Sequence, residues 1–470
     1  MICVSIAPKN MKEARELLLK AGKLADVVEI RVENIVDLDI EQLLSQPRPG
    51  VIITNRPSVP TRRISEDKRI ALLYKAIELG AEYIDIEYKS KKKIVLDIIK
   101  FSYLHKTKII LSYHNFSNVW RSVLHPYLGI KNLFPSYIKI ATCANNISEN
   151  LQIFRLLKVA KKEHIKLSAF CMGERGETSR ILAPRFGGCI TYCSLGEGDE
   201  TAPGQIPVKK LLEVYNYRSI NEQTKIFGLA GNPVSHSRGI YIHNKFFKKN
   251  KLNAVYVNFL TDDFGNFFRT YLEYLQGISI TIPHKEEAAK LLKNRSDEAE
   301  ATGSVNTIIK TTEGFVGYNT DALAAVMIFE KLLNGKSVAV LGTGGTARSA
   351  IYAAKKCGGN VHIFGRNLKK AKILAKKFKC EFSSLEDIQK IKKMDAIINT
   401  TPVGMVPNTD ASPIPKTLLN KKMLVVDFVY TPKVTKLLRD AAETGCQIIP
   451  GTKIFESQAK LQQEFFKSVI

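Results

Sequence analysis

Two neighbouring strand-like segments carry an amine and an imidazole that could act together on a carbonyl compound. Lys139 lies inside the apolar segment YIKIAT, and His114 ends the segment before it, KIILSYH. An amine shielded from water favours its neutral form, and a neutral amine attacks a ketone to form a Schiff base. An imidazole beside that imine can remove a proton from the adjacent carbon and return it to a leaving hydroxyl. Either residue alone is more often an ordinary strand-end residue, so the prediction of imine chemistry depends on the pair.

Three arginines near the ends of other strand-like segments predict an anionic substrate. Arg31 and Arg56 follow the segments VVEI and GVIITN, and Arg180 comes after KLSAFCM. A guanidinium group binds a carboxylate through two parallel hydrogen bonds. Each arginine alone would more often be a surface ion-pair residue, but three at one rim indicate a carboxylate-binding site.

A glycine-rich turn in the second half of the chain predicts a dinucleotide site. The strand-like segment SVAVL runs directly into a G-x-G-x-x-A turn formed by Gly342, Thr343, Gly344, Gly345, Thr346 and Ala347. Small residues let the backbone approach a pyrophosphate, and the following helix N-terminus supplies N–H donors. An NAD site usually carries Asp or Glu after the next strand, whereas this chain has Arg366, with Lys370 close behind. Positive charge there suits a 2′-phosphate, so we predict NADP as the cofactor.

A lysine and an aspartate upstream of that turn could supply a proton. Lys285 lies at a predicted strand-to-helix corner after Pro283, and Asp321 lies in the segment GYNTD. Hydride transfer to a ketone needs a proton donor for the alkoxide that forms, and a lysine oriented by a carboxylate can be that donor. Taken alone, Lys285 would more often be a surface residue at a helix end.

The elements that must position these residues predict an α/β protein. The first half alternates β-branched runs with amphipathic helical stretches, about eight β/α units in roughly 215 residues, which is typical of a (β/α)8 barrel. We expect this TIM barrel over residues 1–218 and a linker over 219–224. A substrate-binding domain over 225–333 and a Rossmann domain over 334–450 follow. Residues 451–470 predict a C-terminal helix that packs back on the substrate-binding domain.

Composition narrows the class of protein. The 470 residues contain 70 Lys and Arg against 45 Asp and Glu, a formal net charge of +25. These lysines are scattered, without zinc-finger spacing or an aromatic RNA-binding signature, so we expect anionic small-molecule substrates and no nucleic-acid partner. No apolar stretch is long enough to span a membrane, and the start resembles no signal peptide. Eight cysteines without a Cys-x-x-Cys pair predict free thiols, a cytoplasmic location and no metal site.

Several motifs of the first half together resemble the type I 3-dehydroquinate dehydratases. They are EIR, TNR, SYHNF, YIKIAT, the pair Ser179-Arg180 and TAPGQ, and they cover nearly all of residues 1–215. The resemblance implies a barrel without metal or cofactor, in which Lys139 forms the imine and His114 moves protons for the loss of water. It also implies a set of substrate-binding residues, namely Ser5, Glu29, Arg31, Arg56, Arg180, Thr201 and Gln205.

Two departures from that family stand out. The loop after Arg56 reads PSVPTRR, so it lacks the glutamate that the family usually carries there, and Glu66 is a candidate replacement. Thr201 stands where many members have serine, which keeps the hydroxyl.

The motifs GNPVSHS, ITIPHKEEA, GSVNT and GYNTD, with the glycine-rich turn, resemble the shikimate dehydrogenases over roughly residues 225–470. The resemblance implies that Lys285 and Asp321 are the catalytic pair. It implies a shikimate site formed by Ser237, Thr281, Asn306, Tyr430 and Gln458. It also adds Gly451 to the glycine-rich turn and Arg366 as contacts of NADP. Gly239 stands where the family usually has a second carboxylate-binding serine.

A chain with both halves resembles a fused enzyme for two successive steps of the shikimate pathway. It would dehydrate 3-dehydroquinate and then reduce 3-dehydroshikimate with NADPH. Two alternatives remain open from the sequence. One is an NADP-dependent quinate/shikimate dehydrogenase with a weakened barrel, given Gly239 and the altered loop. The other is a basic nucleic-acid-binding protein on retained enzyme folds.

Overall fold

The computed structural model describes residues 1–45, 47–56, 65–117, 123–235 and 237–470. The loop at 57–63, where the sequence lacks the expected glutamate, lies outside the described residues, and so does His236. The chain divides into two compact units. The first comprises Met1–Lys225 with Phe247–Thr261, and the second comprises Ile226–Phe246 with Asp262–Ile470.

Eight parallel strands within the described residues form a nearly closed barrel, as the sequence predicted. They are β1 (Ile2–Ile6), β2 (Val27–Arg31), β3 (Val51–Thr54), β4 (Tyr83–Glu87), β5 (Lys108–His114), β6 (Tyr137–Cys143), β7 (Leu167–Met172) and β8 (Thr191–Cys193). They lie side by side in chain order, with β8 returning next to β1. The Cys189 N–H donates to the Leu167 carbonyl at 3.0 Å, which links the segment before β8 to β7. The strands are almost entirely buried because both faces of a barrel wall are covered.

Helices connect these strands and cover the outside of the barrel. They are α1 (Met11–Gly22), α2 (Ile40–Ser45), α3 (Glu66–Glu78), α4 (Lys92–Leu104), α5 (Leu124–Lys131), α6 (Asn150–Lys162) and α7 (Glu177–Leu182). Local sequence determines where several of them begin. The side chain of Asn10 accepts from the N–H of Glu13 at 2.9 Å and thereby caps α1.

A mixed sheet follows the barrel. The strands of this part of the chain and the helices between them are β9 (Lys225–Gly231), α8 (Gly239–Lys249), β10 (Ala254–Leu260), α9 (Phe264–Tyr271), β11 (Leu275–Ile280), α10 (Lys285–Leu291), β12 (Asn294–Arg295), α11 (Asp297–Thr302), β13 (Thr307–Thr311), β14 (Gly314–Tyr318) and α12 (Thr320–Phe329). Strands β9, β11, β13, β14 and β12 are neighbours in that order. Strands β9 and β11 are parallel, whereas β11 and β13 are antiparallel.

A third, fully parallel sheet has the strand order of a Rossmann fold. Its elements are β15 (Ser337–Leu341), α13 (Gly345–Lys356), β16 (Asn360–Gly365), α14 (Leu368–Phe378), β17 (Glu381–Ser384), β18 (Ala396–Asn399), β19 (Leu424–Asp427), α15 (Lys436–Thr444), β20 (Gln447–Ile449) and α16 (Gly451–Lys467). The order β17-β16-β15-β18-β19-β20 reverses direction at β15, and ligands of such sheets bind beside that switch point. The predicted α/β class, barrel followed by Rossmann sheet, is confirmed.

The C-terminal helix α16 packs against the mixed sheet. Gln462 donates to the hydroxyl of Thr307 at 2.8 Å, and the rings of Phe466 and Phe227 lie 4.8 Å apart. None of the helices within the described ranges combines the length and apolar character that crossing a bilayer requires.

Candidate active sites

Polar side chains at the carboxyl end of the barrel face one another across its interior. The strand register places Ser5 opposite Glu29, Glu87 opposite Ser112 and Ser112 opposite Lys139. Because side chains alternate along a strand, residues in these positions point to the same side of the wall. Glu29, Glu87 and Lys139 line a cavity of about 240 Å3 together with further residues of the barrel. Its lining includes Glu29, Arg31, Arg56, Glu87, His114, Lys139, Arg180, Tyr192, Thr201 and Gln205.

Lys139 is buried at the floor of this cavity, with 4% of its surface exposed. Its Nζ donates to Glu29 Oε1 at 3.0 Å and to Asp85 Oδ2 at 3.2 Å. It also lies 3.7 Å from the centroid of the Tyr192 ring. The predicted burial is present, whereas the contacts of Nζ with Asp85 and with Glu29, which the resemblance assigns to the substrate, were not predicted. Burial favours a neutral amine, whereas neighbouring carboxylates favour an ammonium.

Glu29 is held as a carboxylate by its surroundings. Burial alone would raise its pKa, but the positive charges of Lys139, Arg31 and Arg56 lower the pKa below its ordinary value. Ser5 donates to one carboxylate oxygen, and Thr54 donates to the other at 3.0 Å. Glu29 is therefore ready to hold the lysine nitrogen in place.

Both ring nitrogens of His114 lie close to charged side chains. Nδ1 lies 2.9 Å from Glu87 Oε1, and Nε2 lies 3.4 Å from Nη2 of Arg56. A guanidinium can only donate, and a carboxylate can only accept, so both contacts favour the tautomer with its proton on Nδ1. Nε2 is therefore the unprotonated ring nitrogen, and its lone pair accepts the contact from Arg56.

The charges around His114 are shifted in directions that suit a base. Burial and the charge of Arg56 lower the pKa of His114, so its ring is neutral near pH 7. Burial would raise the pKa of Glu87, but the hydrogen bond with His114 and the charge of Arg56 lower it to about 2. Glu87 therefore remains a carboxylate beside the imidazole.

The structure brings together most of the barrel residues that the sequence singled out, with two differences. Ser5 supports Glu29 and receives a hydrogen bond from Thr201 at 2.8 Å, but it is not among the residues that line the cavity. Arg180 lies on helix α7 and not at a strand end, since the chain turns back after β7 before the arginine is reached. From there its guanidinium still reaches the cavity, donating to the carbonyls of Tyr192 and Pro203 and stacking 4.1 Å over Phe170.

Glu66 does not take the place of the missing loop glutamate among the described residues. It pairs with Lys91 at 3.2 Å and does not line the cavity. Glu87 is the carboxylate that contacts His114. Sequence reasoning missed Glu87, Asp85 and Tyr192. The signal was present in YIDIEY, where two carboxylates alternate with isoleucines on a strand and so share the inward face.

Lys285 and Asp321 form a close ion pair in the second unit. Lys285 begins α10, Asp321 lies in the first turn of α12, and Nζ is 2.6 Å from Asp321 Oδ2. Both side chains are about 16% exposed, so a ligand can reach them. An ammonium held by a carboxylate is a suitable proton donor to an oxygen beside it.

A hydrogen-bond network includes Thr320, the residue before Asp321. The amide oxygen of Asn306 accepts from the N–H of Thr320 at 2.8 Å, and the Thr320 hydroxyl reaches Gln458 at 3.1 Å. Tyr430 stacks on Phe455 at 4.5 Å, and burial together with the charge of Asp321 raises its pKa.

Two other residues that were predicted to bind shikimate stand outside this hydrogen-bond network in the described part of the chain. Thr281 directly follows β11, and Ser237 accepts from the N–H of Gly239 at 3.1 Å. Among the described residues, no hydrogen bond joins either of them to the Lys285–Asp321 pair.

The glycine-rich turn fits a dinucleotide. Gly342 has φ of +119°, and a Cβ there would lie 2.5 Å from Thr400 Oγ1, so only glycine suits this position. Gly344 precedes α13 without a side-chain cap, and a Cβ on it would meet nothing within 4 Å. The N–H groups of this helix start are thus open to a phosphate. A Cβ on Gly345 would lie 3.6 Å from Lys285 Cδ, so the turn lies beside the catalytic candidate.

The next strand presents positive charge. Arg366 follows β16 and is exposed, and Lys370 is exposed in the first turn of α14. Gly451 begins α16, where a Cβ would lie 2.3 Å from the Val429 carbonyl. These residues fit the predicted NADP site.

Comparison with known proteins assigns both halves. The family model of type I 3-dehydroquinase matches residues 2–222. The models of the shikimate dehydrogenase substrate binding domain and of shikimate/quinate 5-dehydrogenase match residues 229–308 and 323–441. A chloroplastic bifunctional 3-dehydroquinate dehydratase/shikimate dehydrogenase of Arabidopsis thaliana is 34% identical over 496 residues, which cover 99% of this chain and 82% of the relative. The chain belongs to the family of bifunctional 3-dehydroquinate dehydratase/shikimate dehydrogenases.

Two further similarities agree with the bifunctional 3-dehydroquinate dehydratase/shikimate dehydrogenase family. The shikimate biosynthesis protein AroDE of Chlamydia pneumoniae is 29% identical, over 98% of this chain and 94% of the relative. A solved shikimate dehydrogenase in complex with NADP+ is similar with a TM-score of 0.50 and 33% identity, over 53% of this chain and 92% of that one. The chain is therefore an enzyme with a lyase module and an oxidoreductase module, and the predicted resemblance is confirmed.

Proposed function

We propose that the barrel dehydrates 3-dehydroquinate to 3-dehydroshikimate through a Schiff base on Lys139. The second unit then reduces 3-dehydroshikimate to shikimate with NADPH. The observation that carries the proposal is that Lys139 and a tautomer-defined His114 line the same cavity. Membership in the bifunctional family supports it.

Imine formation begins when Lys139 loses a proton to the solvent of the cavity. Glu29 and Asp85 both accept hydrogen bonds from Nζ and hold the nitrogen in place. The neutral nitrogen attacks the ring ketone to form a carbinolamine. The hydroxyl of the carbinolamine takes up one proton from solvent and leaves as water, which yields a protonated imine. The positive charge on this nitrogen then makes the hydrogens on the adjacent carbon acidic.

Elimination needs a base and then an acid, and His114 can serve as both. Its Nε2 removes a proton from the carbon next to the imine, and Glu87 stabilises the imidazolium that results. The imidazolium returns the proton to the departing hydroxyl, which leaves as water while the carbon–carbon double bond forms. Hydrolysis of the imine releases product and restores Lys139.

The cavity lining suits a substrate that carries a carboxylate. Arg31, Arg56 and Arg180 line the cavity together with Lys139, against the two carboxylates of Glu29 and Glu87. Among these cations, Arg180 donates to backbone carbonyls and stacks on Phe170, and a guanidinium binds a carboxylate bidentately. We assign Thr201 and Gln205, which are linked by a hydrogen bond of 2.7 Å, to the ring hydroxyls.

In the second unit, Lys285 is the proton donor and Asp321 orients it. NADPH supplies a hydride to the ketone when it is bound. Lys285 lies beside the glycine-rich turn, so its Nζ can protonate an alkoxide formed there. We assign Ser237, Thr281, Asn306, Tyr430 and Gln458 to the substrate. The residues that would hold NADP are the glycine-rich turn of residues 342–347, Arg366, Lys370 and Gly451.

We propose domain boundaries that match these two activities. The dehydratase occupies 1–218, a linker 219–224, the substrate-binding domain 225–333, the Rossmann domain 334–450 and the C-terminal helix 451–470. The eight free cysteines of the chain support a reducing, cytoplasmic location. The partners are small-molecule substrates.

Borohydride trapping tests the dehydratase. Reduction of the full-length protein in the presence of 3-dehydroquinate should convert the imine to a stable secondary amine on the peptide that carries Lys139. Lys139→Ala should abolish this adduct, whereas Lys166→Ala, which changes an exposed lysine before β7, should keep it. An adduct that survives Lys139→Ala would contradict the assignment.

Substitution of Lys285 tests the dehydrogenase. Lys285→Ala should lower NADP-linked shikimate oxidation by about 100-fold or more while dehydration stays within twofold. Loss of both activities together would argue against two separate catalytic centres.

A further inference from the structure

We propose that Tyr192 is a positioning residue for the dehydration, in which the face of its ring stabilises positive charge on the nitrogen of Lys139. The inference rests on the proposed function of the barrel. Tyr192 lies on β8, which pairs with β1. It is distant in sequence from every other residue that contacts this nitrogen.

The contact is close and dry. Lys139 Nζ lies 3.7 Å from the centroid of the Tyr192 ring. Tyr192 is 2% exposed and Lys139 is 4% exposed. An aromatic face carries negative potential, and its attraction for a cation is strongest where water is excluded from both.

The ring occupies a side of the nitrogen that the carboxylates leave open. Glu29 and Asp85 already accept two hydrogen bonds from Nζ. A third carboxylate would bind the ammonium more tightly and oppose the loss of its proton. A ring face attracts the cation without accepting a proton, so it favours a charged nitrogen and does not compete as a base.

This preference acts on one step of the reaction. After attack on the ketone, the nitrogen passes from an uncharged carbinolamine to a protonated imine, which carries the charge that drives elimination. The ring stabilises the second species more than the first, so it raises the fraction of bound substrate that can react. An interaction that is stronger in the reacting state than in the state before it raises kcat.

The hydroxyl of Tyr192 has no part in this role. It is buried, and no donor or acceptor among the described residues lies within hydrogen-bond distance of it. Burial raises the pKa of Tyr192 well above its ordinary value, so the hydroxyl cannot act as a base. Phenylalanine keeps the ring and removes an unpaired polar group, which makes Tyr192→Phe the matched variant.

The test compares Tyr192→Leu, Tyr192→Met and Tyr192→Phe in the full-length protein. Leucine and methionine fill space without an aromatic face, and methionine serves if leucine disturbs the packing against Phe170. We measure kcat and KM for 3-dehydroquinate, together with the fraction of protein that borohydride traps at Lys139 under saturating substrate. Circular dichroism and the Tm of the same preparations measure the amount of folded barrel, because shikimate oxidation reports on the second unit alone.

Loss of the ring should lower kcat by about 30-fold, with KM changed much less, and should lower the trapped fraction. Tyr192→Phe should restore both readouts to near the wild-type values. A purely structural role would reduce the amount of folded protein but would leave the trapped fraction of that protein unchanged.

Three results would overturn the inference. They are kcat within threefold of wild type for Tyr192→Leu and Tyr192→Met, an unchanged trapped fraction, and an impairment of Tyr192→Phe equal to that of Tyr192→Leu. If wild-type protein gives no adduct at Lys139, the proposed function itself fails. If the adduct forms and needs Lys139 but Tyr192→Leu reacts normally, only the role of Tyr192 fails.

Discussion

Replacing Glu87 with glutamine would test whether a carboxylate beside His114 controls the dehydration. The side chain keeps its size, and its amide oxygen can still accept from Nδ1 of His114. What it loses is the negative charge that faces the imidazole at 2.9 Å and also pairs with Arg56. That charge matters most when His114 has taken a proton. With glutamine at position 87, the imidazolium would face only the cation of Arg56 and a neutral amide.

The magnitude follows from two bounds. A charge-assisted hydrogen bond is stronger than a neutral one by about 1.4 kcal/mol, which sets the smaller loss. The pKa of Glu87 falls from 4.5 to about 2, which corresponds to about 3 kcal/mol of favourable interaction with all its neighbours and sets the larger loss. We therefore expect Glu87→Gln to lower kcat for dehydration by about 10- to 150-fold.

The assay is steady-state dehydration, followed by the absorbance of the conjugated product, across a range of pH. Because the charge of Glu87 raises the pKa of His114, its removal should also move the acid limb of the profile to lower pH. Glu82→Gln is the matched control, since Glu82 is an exposed barrel carboxylate that pairs with Arg48 and does not line the cavity. Dehydration by Glu87→Gln within twofold of wild type would refute the role of the carboxylate.

Three further predictions concern pH, cofactor choice and backbone conformation. Wild-type kcat/KM for dehydration should hold below pH 6.5 and fall only as the pH drops through the lowered pKa of His114, because the imidazole of the free enzyme must be neutral to accept a proton; an acid limb above pH 6.5 would contradict this. Arg366→Ala should raise the KM for NADPH by about 10-fold and leave that for NADH nearly unchanged, since only NADPH carries the 2′-phosphate, and equal changes would count against an Arg366–phosphate contact. Gly342→Ala should destabilise the second unit by about 2 kcal/mol, because its φ is +119° and a Cβ would meet Thr400, and an unaltered Tm would show that the turn tolerates a side chain.

Several elements could be predicted from the sequence with their bounds. Strands β5 and β15 begin and end where the segments KIILSYH and SVAVL indicated. The glycine-rich turn between β15 and α13 was equally visible, because its chemistry depends on residues that are adjacent in the chain. The positions of Lys139 and His114 at one rim followed from the same reasoning, since consecutive strands of a parallel barrel are neighbours.

The partners of the lysine could not be predicted in that way. Glu29 and Asp85 lie 110 and 54 residues before Lys139, and Tyr192 lies on the last strand of the barrel. Period-2 alternation indicates which face of a strand a residue occupies, but not which residues on other strands it will meet.

The chemical groups, the strands that carry them and the order of the two modules could be predicted from the chain, because they depend on local pattern and on contiguous motifs. The two carboxylates and the aromatic ring around the buried amine, and the position of Glu87 beside His114, became visible in the folded barrel alone. Closing the barrel brings together side chains from strands far apart in the chain, and the distances between them depend on register and packing.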